Sequence, residues 1–205
     1  MTITAREAPR SRERARLRRL LAGPTVEAAR ALIGCVLLRR TAGRTVAVRI
    51  VETEAYLGPD DPAAHSYSGK TARNEPLWGE AGTIYVYRVY GMHDCLNFAV
   101  DRPGFPGCVL VRAAEPLAGS GLGELDCRGP GRLCRALAID RRLSGRHLFE
   151  TQAPLTLRAG AGPSRIGVSP RVGIRRAAER PLRFYDAASA AVSGPRIPVP
   201  RRRSR

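Results

Sequence analysis

At 205 residues the chain is long enough for one sizeable hydrophobic core, and two complete domains would leave each with too little buried surface. Arg and Lys number 35 against 18 Asp and Glu, a formal net charge of +17, which favours a polyanionic partner, nucleic acid ahead of an anionic membrane surface. No stretch approaches about 18 uncharged residues and the opening residues hold no uninterrupted apolar run, so the expectation is a cytoplasmic protein without a membrane-spanning helix or secretory signal.

Residues 1–18 and 187–205 are basic and read as solvated arms around a domain spanning 19–186, either plain disordered tails or arms that track DNA nonspecifically. Thr25 is placed to N-cap a helix through TVEAARALI, and Gly34 then offers an exit into the strand CVLLRR. After the turn TAGR, the even positions from Val46 to Tyr56 read Val, Val, Ile, Glu, Glu, Tyr. One strand face therefore begins apolar and ends in Glu52, Glu54 and Tyr56, a core face turning into a polar pocket.

LGPDDPAAHSYSGKTARNEPLWGEAG has no clean periodicity and reads as a long loop, of the kind that is either functional or disordered. TIYVYRVYGMHDCLNFAV predicts two strands joined near Tyr90-Gly91-Met92-His93-Asp94, a hairpin with an aromatic at its tip. CVLVRAAEP (108–116) is a buried-looking strand that Arg112 interrupts. GPGRLCRALAI (129–139) starts a helix with Pro130 in its first turn, and its amino end, with Arg132, can hold either a phosphate or water. PRVGIRRAAERPLRFYD (170–186) is a basic patch leading into a last strand, LRFY.

Cys35, Cys95, Cys108, Cys127 and Cys134 form no CxxC pair, and their odd number and apolar settings read as reduced, buried thiols. His65, His93 and His147 are far apart in sequence and lack an H-x-E context, which argues against a zinc deaminase or zinc finger, and no phosphate-cradling or dinucleotide fingerprint is present. Glu54 on a largely apolar strand fits a general base balanced between burial and a cation such as Arg112, or an edge-strand carboxylate in water, the reading that spacing alone favours. Tyr56, Tyr85, Tyr87 and Tyr90 suit the walls of a base pocket and a wedge at a flipped nucleotide, or the rim of a strand core. His65 lies in the polar loop, over a pocket or in solvent. Asn97 and Arg112 need partners in strands that should be buried.

The stretch RIVETEAYLGPDDPAAHSYSGKTARNEPLW, followed by GTIYVYRVYGMHDCLN and CVLVRAAEPL, closely resembles the alkyladenine (3-methyladenine) DNA glycosylase family, with supporting similarity at ARALIG, GPGRLCRALAI, PRVGI and RPLRFY. The resemblance spans roughly 25–186 and implies an enzyme that flips a damaged purine from duplex DNA and hydrolyses its N-glycosidic bond, leaving an abasic site. It implies Glu54 as the base that activates water and Arg112 as the residue that helps hold that water. Tyr56, His65, Tyr85 and Tyr87 would line the base pocket, tyrosine and histidine sandwiching the extruded purine, with Asn97 crowding the 2-amino group of guanine. Tyr90, with Met92 beside it, would enter the vacated stack, and Arg73 and Arg132 are candidate backbone contacts. His93 departs from the family, which often carries an aromatic there.

The family is monofunctional and needs no metal or organic cofactor. Lys70, the sole lysine, is the only side-chain amine that a bifunctional lyase reading has to draw on. The expected fold is a single mixed α/β (α+β) domain with a curved, largely antiparallel sheet, flanking helices and a protruding, DNA-intercalating hairpin. The expected partner is double-stranded DNA containing damaged purines, bound by a monomer with no membrane association. A noncatalytic nucleic-acid-binding module is the reading from another class.

Overall fold

The computed structural model describes residues 11–41 and 43–195, so the outer parts of both basic arms, 1–10 and 196–205, lie outside the described residues. Helices α1 (Ser11–Leu21), α2 (Thr25–Leu32) and α3 (Pro130–Ala136) flank eight strands: β1 (Val36–Thr41), β2 (Arg44–Tyr56), β3 (Ile84–Val89), β4 (His93–Val100), β5 (Gly107–Pro116), β6 (Leu155–Arg158), β7 (Ile166–Ser169) and β8 (Arg183–Asp186). The strands run in the order β3-β4-β5-β2-β1-β6, and β8 pairs with both β2 and β7. Every pairing among the described residues is antiparallel, and the sheet curls, which gives the expected α+β class. No helix among the described residues is long and apolar enough to cross a membrane.

The long strand β2 organises the molecule. One edge pairs with β5, while the other pairs with β1 over Arg44–Arg49 and with β8 over Glu52–Glu54. Val46, Val48 and Ile50 face the main core with Leu32 of α2 and Leu133 of α3. The pairing with β5 is irregular on both sides of Glu52: Ile50 opposes Ala114, Glu52 opposes Ala113 and Thr53 opposes Val111, which skips Val51 on one strand and Arg112 on the other.

Such irregularities reset the two-residue alternation. Beyond them Ala55 faces the main core, and Thr53 Oγ1 donates to Ala29 O of α2 at 2.8 Å. The expectation of one continuous face from Val46 to Tyr56 is therefore corrected. Glu52, Glu54 and Tyr56 lie opposite the face that Ile50 occupies, and Arg112 is turned to their side by the matching irregularity in β5.

Residues 11–18, expected in a solvated arm, belong to α1. Leu17 and Leu21, four apart, bury at 1 % and 0 % exposure against the core, a stripe that the surrounding arginines mask in the sequence. At the other end, residues 187–195 were expected in the tail, yet Ala191 and Val192 are buried. Thr25 is the first residue of α2 rather than its cap. The capping position is Pro24, with no side-chain cap bond, and Thr25 Oγ1 instead lies 3.5 Å from Asp101 Oδ2. Gly34 has φ +90°, and a Cβ there would meet Ala161 O at 2.5 Å, so the turn from α2 into β1 requires glycine. All five cysteines are free and buried.

Candidate active site

Glu54 is completely buried on β2. Its Oε1 accepts the backbone N–H of Val172 at 2.8 Å, and its Oε2 accepts the hydroxyl of Tyr56 at 3.0 Å. Arg112 Nη1 of β5 stands 3.5 Å from Oε1. Burial raises the carboxyl above its ordinary value, while the Arg112 charge and the hydrogen bonds from Val172 and Tyr56 oppose that rise. The net effect is a carboxyl raised above its ordinary value, which makes it a stronger proton acceptor than a solvated glutamate.

Two adjoining cavities lie beside these partners: Tyr56 lines both and Arg112 lines the second. The first, about 480 Å³, is lined by Tyr56, His65, Tyr85, Tyr87, Asn97 and Arg73 among others. The second, about 740 Å³, is lined by Arg112, Met92, His93, Arg128 and Arg132 and shares Tyr56, Tyr87, Tyr90 and Gly173 with the first. Together they form one cleft, with Glu54 behind its wall rather than lining it.

The aromatic walls follow from the alternation of β3. Tyr85 and Tyr87 share a face, with ring centroids 5.7 Å apart and planes 26° from parallel. His65 packs edge-on to Tyr87, with centroids 4.3 Å apart, and its Nδ1 lies 3.0 Å from Tyr85 Oη. His65 and Tyr87 thus make one continuous wall with no slot between them, and Tyr56 lines the same cavity. His65 is exposed on its outer side, but desolvation of its ring against Tyr85 and Tyr87 and the neighbouring Arg73 lower its pKa, so the ring is neutral at pH 7. Burial pushes the Tyr85 phenol up to about 12 and raises Tyr56 and Tyr87 as well, so the pocket walls carry hydroxyls and no phenolates. Asn97 is buried, and its Nδ2 donates to Tyr85 O at 3.3 Å and Cys95 O at 3.2 Å.

β3 and β4 pair antiparallel from Ile84↔Phe98 to Val89↔His93, which leaves Tyr90, Gly91 and Met92 in the turn. Tyr90 is 85 % and Met92 73 % exposed. Tyr90 has φ +50° and Gly91 φ +70°, a left-handed pair that suits glycine and is uncommon for tyrosine. Arg73 Nη2 donates to Arg88 O at 3.0 Å, and Arg132 is exposed in the first turn of α3. Lys70 is exposed and pairs with Glu75 at 3.1 Å.

Several contributors escaped the sequence reading. Val172 acts through its backbone N–H, which no side-chain pattern reveals. Arg171, in what reads as a basic patch, is buried, forms a two-pronged pair with Asp61, donates to Ala55 O at 3.0 Å and lies over the Tyr56 ring at 4.5 Å. Its Pro-Arg-Val setting after a strand is a faint signal at most. Asp61 in turn accepts the N–H groups of Leu57 and Ala63, each at 3.1 Å, and so fixes the start of the loop that carries His65.

Comparison with known proteins is consistent with these features. A family model described as methylpurine-DNA glycosylase matches residues 19–190. A protein of Methanocella arvoryzae, provisionally named 3-methyladenine DNA glycosylase, is 41 % identical over 184 residues, covering 83 % of this chain and 91 % of its own. One of Synechococcus elongatus with the same provisional name is 45 % identical over 181 residues, covering 85 % and 88 %. The DNA-3-methyladenine glycosylase of Mus musculus is 44 % identical over 198 residues, covering 83 % of this chain and 58 % of the mouse protein.

Proposed function

This chain belongs to the methylpurine-DNA glycosylase family, and from that premise we propose that it flips alkylated or deaminated purines out of duplex DNA and hydrolyses their N-glycosidic bond. Substrates are 3-methyladenine, 7-methylguanine, hypoxanthine and ethenoadenine, and the product is an abasic site. The observation that carries this reading is the buried Glu54 carboxylate, held by Tyr56 and the Val172 N–H beside Arg112, directly behind an aromatic cleft.

In this reading the extruded base lies against the His65–Tyr87 wall with Tyr56 across from it, and Asn97 at the pocket floor discriminates against guanine. Electron-rich rings favour a cationic methylated purine, whose glycosidic bond is already weakened. Each Glu54 oxygen retains acceptor capacity beyond the bonds described, so a water held with Arg112 can give its proton to Glu54 as it attacks C1′. The same negative charge stabilises the positive charge that develops on the sugar. Neutral lesions need protonation of the departing base, whereas cationic ones leave without it.

Tyr90, exposed at the turn with Met92 beside it, fills the gap left in the stack, and Arg73 and Arg132 meet the phosphates. The reaction is hydrolytic and monofunctional: Lys70, the sole lysine, lines neither part of the cleft and stands on the surface beside Glu75. It takes place on double-stranded DNA in the cytoplasm or nucleoid, and the enzyme acts as a monomer.

The test is single-turnover release of hypoxanthine or 3-methyladenine from a lesion duplex. Glu54→Gln is expected to abolish release while retaining lesion binding. Release at the parental rate would remove Glu54 from the role of base.

A further inference from the structure

Two residues before Glu54, Glu52 is buried completely and makes contacts that the excision chemistry leaves unused. Its Oε1 accepts from Arg183 Nε at 2.6 Å and stands 3.4 Å from Arg112 Nε, while its Oε2 accepts the backbone N–H of Ser193 at 2.6 Å. Arg183 is buried too, and its Nη1 donates to Ser169 Oγ and Pro195 O, both at 2.8 Å.

Arg112 therefore sits between two carboxylates, 3.4 Å from Glu52 and 3.5 Å from Glu54, at normal hydrogen-bond distance from neither. Its Nε is buried and finds no hydrogen-bond partner among the described residues. The position is a balance between opposed attractions rather than a fixed pair. Removing the Glu52 charge removes the attraction that competes with Glu54 for Arg112, so Arg112 moves onto Glu54.

Glu52 is braced from behind by a segment that extends past the family match, which ends at residue 190. Ser193 and Pro195 supply the contacts just described, and Val192 O accepts from Arg128 Nε at 3.0 Å. Arg128 lines the same cavity as Arg112.

We propose that Glu52 is a positioning residue for excision: braced by Arg183 and by residues 191–195, it holds Arg112 off Glu54 at a separation that leaves both free to hold the attacking water. This inference rests on Glu54 being the base, and it makes the last described stretch of chain a working part of the active site.

The test is Glu52→Gln in the full chain, read by single-turnover hypoxanthine release across pH, by affinity for an abasic-site duplex and by thermal melting. The groups that face Glu54 are Arg112, Tyr56, the Val172 N–H and Glu52, with Tyr87, Cys95 and Arg171 nearby. Excision on the pH plateau is expected to fall on the order of 100-fold, the consequence of misplacing a catalytic group by about 1 Å. The acidic limb of the profile should move to lower pH, because Glu54 loses a like-charged neighbour and gains a closer cation. Affinity for the abasic duplex should be unchanged.

An unaltered plateau and limb would overturn the proposal. So would a lower plateau with an unmoved limb, since that is the mark of structural damage alone. If Glu52→Gln does not fold, E52Q/R183Q removes the buried pair together, a replacement that proteins often tolerate, and the same shift of the limb is required of it. Glu54→Gln run alongside separates the two claims. If it excises, the base assignment has failed; if it is inert while Glu52→Gln behaves as the parent, only the positioning role has failed.

Discussion

Replacing Asp61 by Asn tests whether the buried Arg171–Asp61 pair holds the pocket wall in place. Both side chains are 0 % exposed, and Arg171 grips Asp61 with both terminal nitrogens, Nη2 to Oδ1 at 2.8 Å. Asparagine keeps the shape but removes the charge, stranding a guanidinium away from water. Breaking such a pair on one side costs about 3–5 kcal/mol. For a domain of this size each kcal/mol lowers the melting temperature by about 2–4 °C, so a fall of roughly 6–20 °C is expected.

Thermal melts and urea titrations at pH 7 measure it, and a loss under about 1 kcal/mol would refute the argument that an unpaired charge at this depth is destabilising. The pH dependence adds a second check. Burial would raise the Asp61 carboxyl, but its hydrogen bonds from Arg171 outweigh that and hold it below the ordinary value of 3.8. A depressed carboxyl contributes its full stability above its unfolded pKa and loses it as pH falls through the folded value. The gap between parent and Asp61→Asn should therefore be widest near neutrality and close as the solution is acidified below 3.8. Because Arg171 also lies over Tyr56 and bonds Ala55 O, the variant should bind lesion duplex more weakly at temperatures where it remains folded.

Two further outcomes are expected. Burial raises Glu54 above 4.5, so single-turnover excision of a cationic lesion should rise with pH through a midpoint above that value, and in Glu54→Asp the rise should persist at a reduced plateau; a profile flat down to pH 4.5 would contradict the assignment. Tyr90→Ala should leave melting unchanged, since the side chain is 85 % exposed. It should weaken lesion-duplex binding by about 1–3 kcal/mol, the worth of one base–aromatic stack, and equal affinities by fluorescence anisotropy would remove Tyr90 from the interface.

The path from sequence to site is uneven, and particular residues show why. Tyr85 and Tyr87 on one strand face, the turn at Tyr90 and Gly91, and the helix at Pro130 are local matters of period and turn chemistry, and all were legible. Helix α1 was not, because its two burying leucines are set among arginines and burial depends on what lies against them. Strand β2 shows the limit most clearly. Its alternation reads as unbroken, but the irregularities at Val51 and Arg112 arise from how two distant strands settle against each other, and they turn Glu54 and Arg112 away from the core.

By itself, the sequence pointed to a polyanionic partner through net charge, to individual helices and strands through periodicity, and to the family, and with it DNA and the α+β fold, through a motif centred on Glu54. Only the tertiary structure decided what surrounds that carboxylate: the Val172 N–H, the Arg171–Asp61 brace behind Tyr56, and the Glu52–Arg183 cluster closed by Ser193. The division has a physical cause. Periodicity and turn preference act over a few neighbouring residues, whereas the protonation of a buried acid is set by charges and dipoles within several ångströms, whatever their distance along the chain.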